Sequence, residues 1–99
     1  MKLLYTEPAK QRLADIEDYT TAASSEAKAR KLIDGLLDKA LGLRDHPLLG
    51  MPEPRLAKRG QGHRCLIVGR FKIVYFVEGD PIHVTDFFDT KQHPSRMRG

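Results

Sequence analysis

Residues 64–88 read RCLIVGRFKIVYFVEGDPIHVTDFF. Three runs rich in β-branched and aromatic side chains are divided by Gly69-Arg70 and by Glu78-Gly79-Asp80-Pro81, which predicts three antiparallel strands joined as a meander. In the middle run, alternation sends Phe71, Ile73, Tyr75 and Val77 to one face and Lys72, Val74 and Phe76 to the other. Both faces are apolar apart from Lys72, so this strand is expected at the centre of a sheet, covered on one side by other elements. A lysine in that setting must face solvent or a partner, because burying it unpaired is costly. Cross-strand pairing with Asp86 or Asp89 is the alternative. Cys65, with no second thiol in the chain, reads as a small buried strand residue in a reducing compartment.

Towards the N-terminus the period changes. Ala29, Leu32, Ile33, Leu36, Leu37, Ala40 and Leu41 recur at helical spacing and predict an amphipathic helix, with Ser24 or Ser25 as its N-cap and Glu26 in its first turn. It ends near DHPLLG (45–50), where Pro47 disfavours helix at His46 and Gly50 permits a turn. Before it, Thr6 can cap and Pro8 can start an earlier helix running to about Ser24, with Ala9, Leu13, Ile16 and Tyr19 as its core face. KLLYT (2–6) reads as a strand feeding that helix, and MPEPRLAKRGQGH (51–63) as the longest irregular stretch. The order β-α-α-β-β-β is an α+β layout: an N-terminal strand and a helical hairpin packed on one face of an antiparallel sheet that ends in a three-stranded meander.

Ninety-nine residues predict one domain, 1–99, since so short a chain cannot support two cores. With 40% hydrophobic and 30% charged residues it is neither disordered nor membrane-spanning, and no segment reads as a secretory leader, so a cytoplasmic protein with no membrane partner is expected. The formal charge of +4 is unevenly placed: residues 1–54 carry eight Lys and Arg against nine Asp and Glu, and residues 55–99 carry nine against four. Such asymmetry points to an anionic partner or to a solvated basic face.

Phosphate-loop, zinc-helix, nucleophile-elbow and dinucleotide-turn motifs are all missing, and the four histidines are scattered without metal-ligand spacing, so neither a metal nor another cofactor is expected. The candidates that remain are cations on the sheet and its margins: Lys58, Arg59, Arg64, Lys72, Lys91 and Arg96, with His63 and His93 near them in sequence. If Lys91 emerges beside Lys72, the sheet presents a basic concave face suited to phosphates or to the charge that develops as RNA breaks.

Layout and residues together resemble the RelE/ParE superfamily, the toxin halves of bacterial type II toxin–antitoxin modules, which include plasmid stabilisation proteins. The resemblance spans nearly the whole chain. Its most specific pieces are the glycine turn followed by Phe71, Lys72, Ile73, Val74 and Tyr75; the HPLLG helix ending; and FFDTKQHP (87–94), with Asp89, Lys91, Gln92 and Pro94 matching. It implies a growth-arresting toxin neutralised by a cognate antitoxin that alone carries the complex to operator DNA. Two targets divide the superfamily. RelE-like members are ribosome-dependent mRNA endoribonucleases, often with a C-terminal tyrosine, and ParE-like members poison DNA gyrase without being nucleases. Here the tyrosines are Tyr5, Tyr19 and Tyr75, none follows KQHP, and Lys72 stands where nucleases often carry arginine, whose bidentate fork lysine cannot reproduce. The gyrase branch is therefore favoured. In the ribonuclease alternative Arg64, Lys72, Lys91 and His93 are the candidate catalytic residues, with His93 as acid or base. An interaction module without toxicity is a third reading.

Overall fold

The structure, a computed structural model, describes all 99 residues. Strand β1 (Leu3–Tyr5) leads into α1 (Glu7–Ala23), α2 (Glu26–Gly42), a two-residue strand β2 (Met51–Pro52), then β3 (Arg64–Val68), β4 (Phe71–Val77) and β5 (Ile82–Asp89). Short 3-10 turns occupy Pro54–Arg59 and Pro94–Arg96. The helices start where the capping residues predict: Thr6 Oγ1 accepts the Ala9 N–H at 3.2 Å, and Ser25 Oγ accepts that of Lys28 at 3.2 Å.

The meander forms as expected, with Gly69 at φ 59° in the β3–β4 turn, a conformation glycine adopts without a Cβ penalty. The sheet as a whole is mixed rather than antiparallel. Its order is β1-β5-β4-β3-β2, and β1 runs parallel to β5. The stretch expected to be wholly irregular also contributes β2, which pairs with Arg64 and Cys65 and is extended by Glu53 N–H donating to the His63 carbonyl at 2.9 Å.

The helical hairpin covers one face. Ala9 and Ile16 from α1 and Leu36 and Ala40 from α2 join Phe71, Ile73, Tyr75, Val84 and Phe87 in a single apolar core. Leu36 and Ala40 centre the α2 stripe, so Leu41, about 100° round from Ala40, falls on its flank and is exposed. Tyr19 also departs from the expected core face: it is 67% exposed, where α1 borders a cleft at the end of the sheet. Gly50 does more than permit a turn. A Cβ there would lie 2.7 Å from the Cys65 carbonyl and 2.8 Å from Tyr75 Oη, which itself accepts the Gly50 N–H at 2.9 Å. Cys65 is buried, as its strand setting predicts.

The second face corrects a sequence expectation. Instead of an open basic surface, it is roofed by the Pro54–Arg59 turn and the C-terminal tail, whose Leu56 and Met97 pack with Val74 and Phe88. The apolar side chains flanking Lys72 on that face need a cover, and these two segments supply it.

Candidate functional site

Lys72 belongs to the roofed face, and its Nζ lies 2.8 Å from Oε1 of Glu53, a carboxylate with no exposed surface. It pairs with neither Asp86 nor Asp89. Glu53 lies between two prolines in the loop before β3, and the short β2–β3 ladder folds it over the sheet. Its second oxygen, Oε2, and Nδ1 of the buried His63 are left without hydrogen-bond partners. Burial holds His63 below the usual imidazole range, opposed by a contact of Nε2 with the Gly99 carbonyl at 3.3 Å and reinforced by Arg59. Its ring packs edge-on against Phe76, 4.9 Å between centroids.

Asp86 organises the tail. The β4–β5 register shifts between Val74 and Tyr75, leaving Thr85 as the extra residue and setting Asp86 opposite Val74. Its carboxylate is fully buried and accepts from Arg12 Nε at 2.9 Å and from the Arg98 N–H at 2.9 Å. Burial pushes the carboxyl up, with the Arg98 amide and Arg12 pulling back. The same arginine donates from Nη2 to the Arg96 carbonyl at 2.9 Å, Thr85 Oγ1 donates to that of Arg98 at 3.0 Å, and Arg98 Nη1 reaches the Pro8 carbonyl at 2.8 Å. The tail is thus laced to α1 and β5 by four bonds through two buried side chains and two arginines.

Beyond that lacing a polar cleft of about 280 Å³ opens between α1 and the end of the sheet. Arg12, Asp15 and Tyr19 line it from α1; Arg70, Asp89, Gln92 and Arg96 line it from the β3–β4 turn, the end of β5 and the tail. Arg70 Nη2 pairs with Asp89 Oδ2 at 2.9 Å, and its guanidinium carbon lies 5.3 Å from the Phe71 ring centroid. The exposed Lys91 joins Tyr19, Arg70, Asp89 and Gln92 at its mouth.

The six cations singled out in the sequence therefore divide. Lys91 and Arg96 reach the cleft, and Lys72 is committed to Glu53. Arg64, at the start of β3, donates from Nη1 to the Gly50 carbonyl at 2.7 Å and so clamps the HPLLG ending. Lys58 and Arg59 project from the exposed 3-10 turn. His93 caps the last 3-10 turn, its Nδ1 accepting the Ser95 N–H at 3.1 Å. Arg12, Glu53, Arg70 and Asp86 were not among the expected site residues. A charged residue in a tight turn was the visible signal for Arg70. For Glu53, a lone carboxylate in a basic, proline-rich loop was the only hint.

The family model described as the ParE toxin of type II toxin–antitoxin system, parDE, matches residues 3–94. The chain belongs to the ParE toxin family. Among solved structures, a chain of the chromosomal ParDE toxin–antitoxin system from P. aeruginosa superposes with a TM-score of 0.74 at 22% identity, covering 88% of this chain and 92% of that one. At that identity the likeness concerns the fold, and the α+β arrangement of hairpin and sheet is what the two share. No curated protein sequence matched the chain. No helix in this ParE-family toxin is long and apolar enough to cross a membrane.

Proposed function

We propose that this toxin arrests growth in the bacterial cytoplasm by poisoning DNA gyrase, and that a cognate antitoxin neutralises it. One observation carries the choice of target: Lys72, the cation best placed on the sheet for a ribonuclease, is held by buried Glu53 on the face that the Pro54–Arg59 turn and the tail cover. RNA cleavage needs a base for the 2′-hydroxyl, an acid for the leaving oxygen and cations on the phosphate, all converging on one point. The candidates for those roles do not converge. Arg64 lies opposite Tyr75 whereas β5 ends at Asp89 opposite Phe71, a separation of about 13 Å along the ladder at about 3.3 Å per residue. His93 Nδ1 is already engaged with the Ser95 amide. Loss of the nuclease constellation with the toxin fold retained favours action through protein contact, with Lys91 and Arg96 as target-facing cations and Lys58 and Arg59 as a second, peripheral pair.

The antitoxin has a separate surface available. β2 covers only Arg64 and Cys65, so Leu66–Val68 present an unpaired edge, beside which Leu48, Leu49, Met51 and Ile67 are exposed. An apolar segment adding along that edge would satisfy both features.

The test is controlled induction of the toxin alone, followed by chromosomal DNA and transcript integrity in the same arrested cells. Damaged DNA with intact transcripts is expected. Codon-phased transcript cuts with intact DNA would overturn the proposal in favour of ribosome-dependent endoribonuclease activity.

A further inference from the structure

We propose that the cleft between α1 and the β3–β4 turn receives a carboxylate side chain from a protein partner, which displaces Asp89 from Arg70. The inference rests on the reading above that this toxin acts through protein contact, and it assigns the chemistry of that contact.

Arg70 is positioned but not sequestered. Its guanidinium stacks 5.3 Å from the Phe71 ring, and its carbonyl accepts from both Thr90 N–H at 2.9 Å and Thr90 Oγ1 at 2.6 Å, which fixes the turn. Its ion pair with Asp89 is nonetheless open to solvent, the arginine side chain being 42% exposed. Across the same cleft the Arg96 side chain has no hydrogen-bond partner, while its carbonyl is pinned by Arg12 at 2.9 Å. Two guanidinium-bearing residues are therefore anchored through backbone or ring, and only one exposed pair must open to admit a ligand. Exchange costs Asp89 little, because its Oδ1 keeps the Lys91 N–H at 2.9 Å. The Arg side chain's planar fork suits an incoming carboxylate bidentately.

The cleft selects a protein over a nucleic acid. Its volume of about 280 Å³ is at the small end for ligand pockets and holds a side chain or two, not a polymer. Asp15 lines it, and Glu17 and Asp18 follow on exposed positions of α1. A duplex, with one charge per about 1.7 Å, would set its phosphates against those acids. A single glutamate or aspartate brings one charge past Asp15 to Arg70 and Arg96 instead of a run of them, and leaves Glu17 and Asp18 unopposed. Tyr19, 67% exposed on the opposite wall, adds the amphipathic ring that, with arginine, dominates protein–protein hot spots.

The experiment is amide chemical-shift mapping of the full chain at low salt with a blocked Gly-Glu-Gly-Glu-Gly peptide. A Gln-substituted peptide and a ten-residue oligothymidylate serve as comparisons. Saturable shifts are expected at Tyr19, Arg70, Thr90–Gln92 and Arg96, about tenfold weaker in Arg70→Gln and in Arg96→Gln and absent with the glutamine peptide. Asp89→Asn, by removing the internal competitor, should tighten binding several-fold. Glu78→Gln makes the same charge change away from the cleft and should leave binding unchanged. Shifts spread over the surface, insensitivity to Arg70→Gln, equal effects of Asp89→Asn and Glu78→Gln, or stronger cleft binding by the oligonucleotide would each overturn the inference. Supercoiling assays on the same proteins separate the two proposals: peptide capture without gyrase inhibition keeps the cleft and removes gyrase, whereas gyrase inhibition without peptide capture does the reverse.

Discussion

The two faces of β4 are buried by different chemistry. On the helical side Phe71, Ile73 and Tyr75 meet Leu36, Ala40 and Phe87 in a core whose only polar requirement is the Tyr75 hydroxyl, met by Gly50. On the other side Val74 and Phe88 lie among Glu53, His63, Thr85 and Asp86, four buried polar residues held by Lys72, Arg12 and the tail. An apolar face is specified by pattern and volume. A polar one is specified by partners, each of which must arrive from a distant segment, and removing one partner strands the other.

The sharpest break in that contrast comes from Asp86→Ala, which takes the acceptor from Arg12 Nε and the Arg98 amide and loosens the tail. A loss of about 3–5 kcal/mol is expected by urea denaturation, the range for breaking a buried pair. A loss below about 1 kcal/mol would mean that the lacing contributes little. Lys72→Met alone should cost roughly 2–3 kcal/mol, less because the lysine is partly exposed, by stranding Glu53. The double variant Glu53→Gln/Lys72→Met should recover most of that, and a double-mutant coupling near zero would refute the pairing. On the apolar face the sensitivity is to volume instead: Gly50→Ala drives a methyl into Cys65 and Tyr75 and should cost about 1–3 kcal/mol, read as a fall in Tm.

The smallest effect is pH dependence. His63 is held neutral by burial, so its folded pKa lies below the unfolded value of about 6.5. The stability it confers is fully present above that value and is lost as pH falls through the folded pKa. Asp86 has the opposite sign: its carboxyl is raised, so protonating it at lower pH relieves a cost rather than adding one. Thermal melts should therefore decline from pH 7 to 5.5 in the native chain and decline less in His63→Phe; equal slopes would show that His63 is not the titrating group.

What was legible in the sequence follows the same division. Alternation in β4 and the α2 stripe were readable because each repeats a local period, and capping by Thr6 and Ser25 needs only neighbours. The parallel pairing of β1 with β5 was not, since it joins residues about 80 positions apart and nothing in LLY names its partner strand. The site split likewise. Lys91 and Arg96 lie at the sheet's end and not beside Lys72 on a basic face, and Lys72, expected to face a partner or else to pair with Asp86 or Asp89, takes its partner from a loop 19 residues upstream. Tyr19 kept the helical period while the sheet beneath it ran out, so spacing alone read a cleft residue as core.

The central claim, that the roofed sheet face is structural and the toxin acts on gyrase, is tested most directly with purified protein, gyrase and relaxed plasmid. Wild type and Glu53→Gln/Lys72→Met should be compared for supercoiling and for trapped DNA cleavage. Equal inhibition by both proteins is expected, because Lys72 holds the fold and touches no target. Normal supercoiling in the presence of wild type would contradict gyrase as the target, and inhibition lost in a folded double variant would contradict the structural role of Lys72.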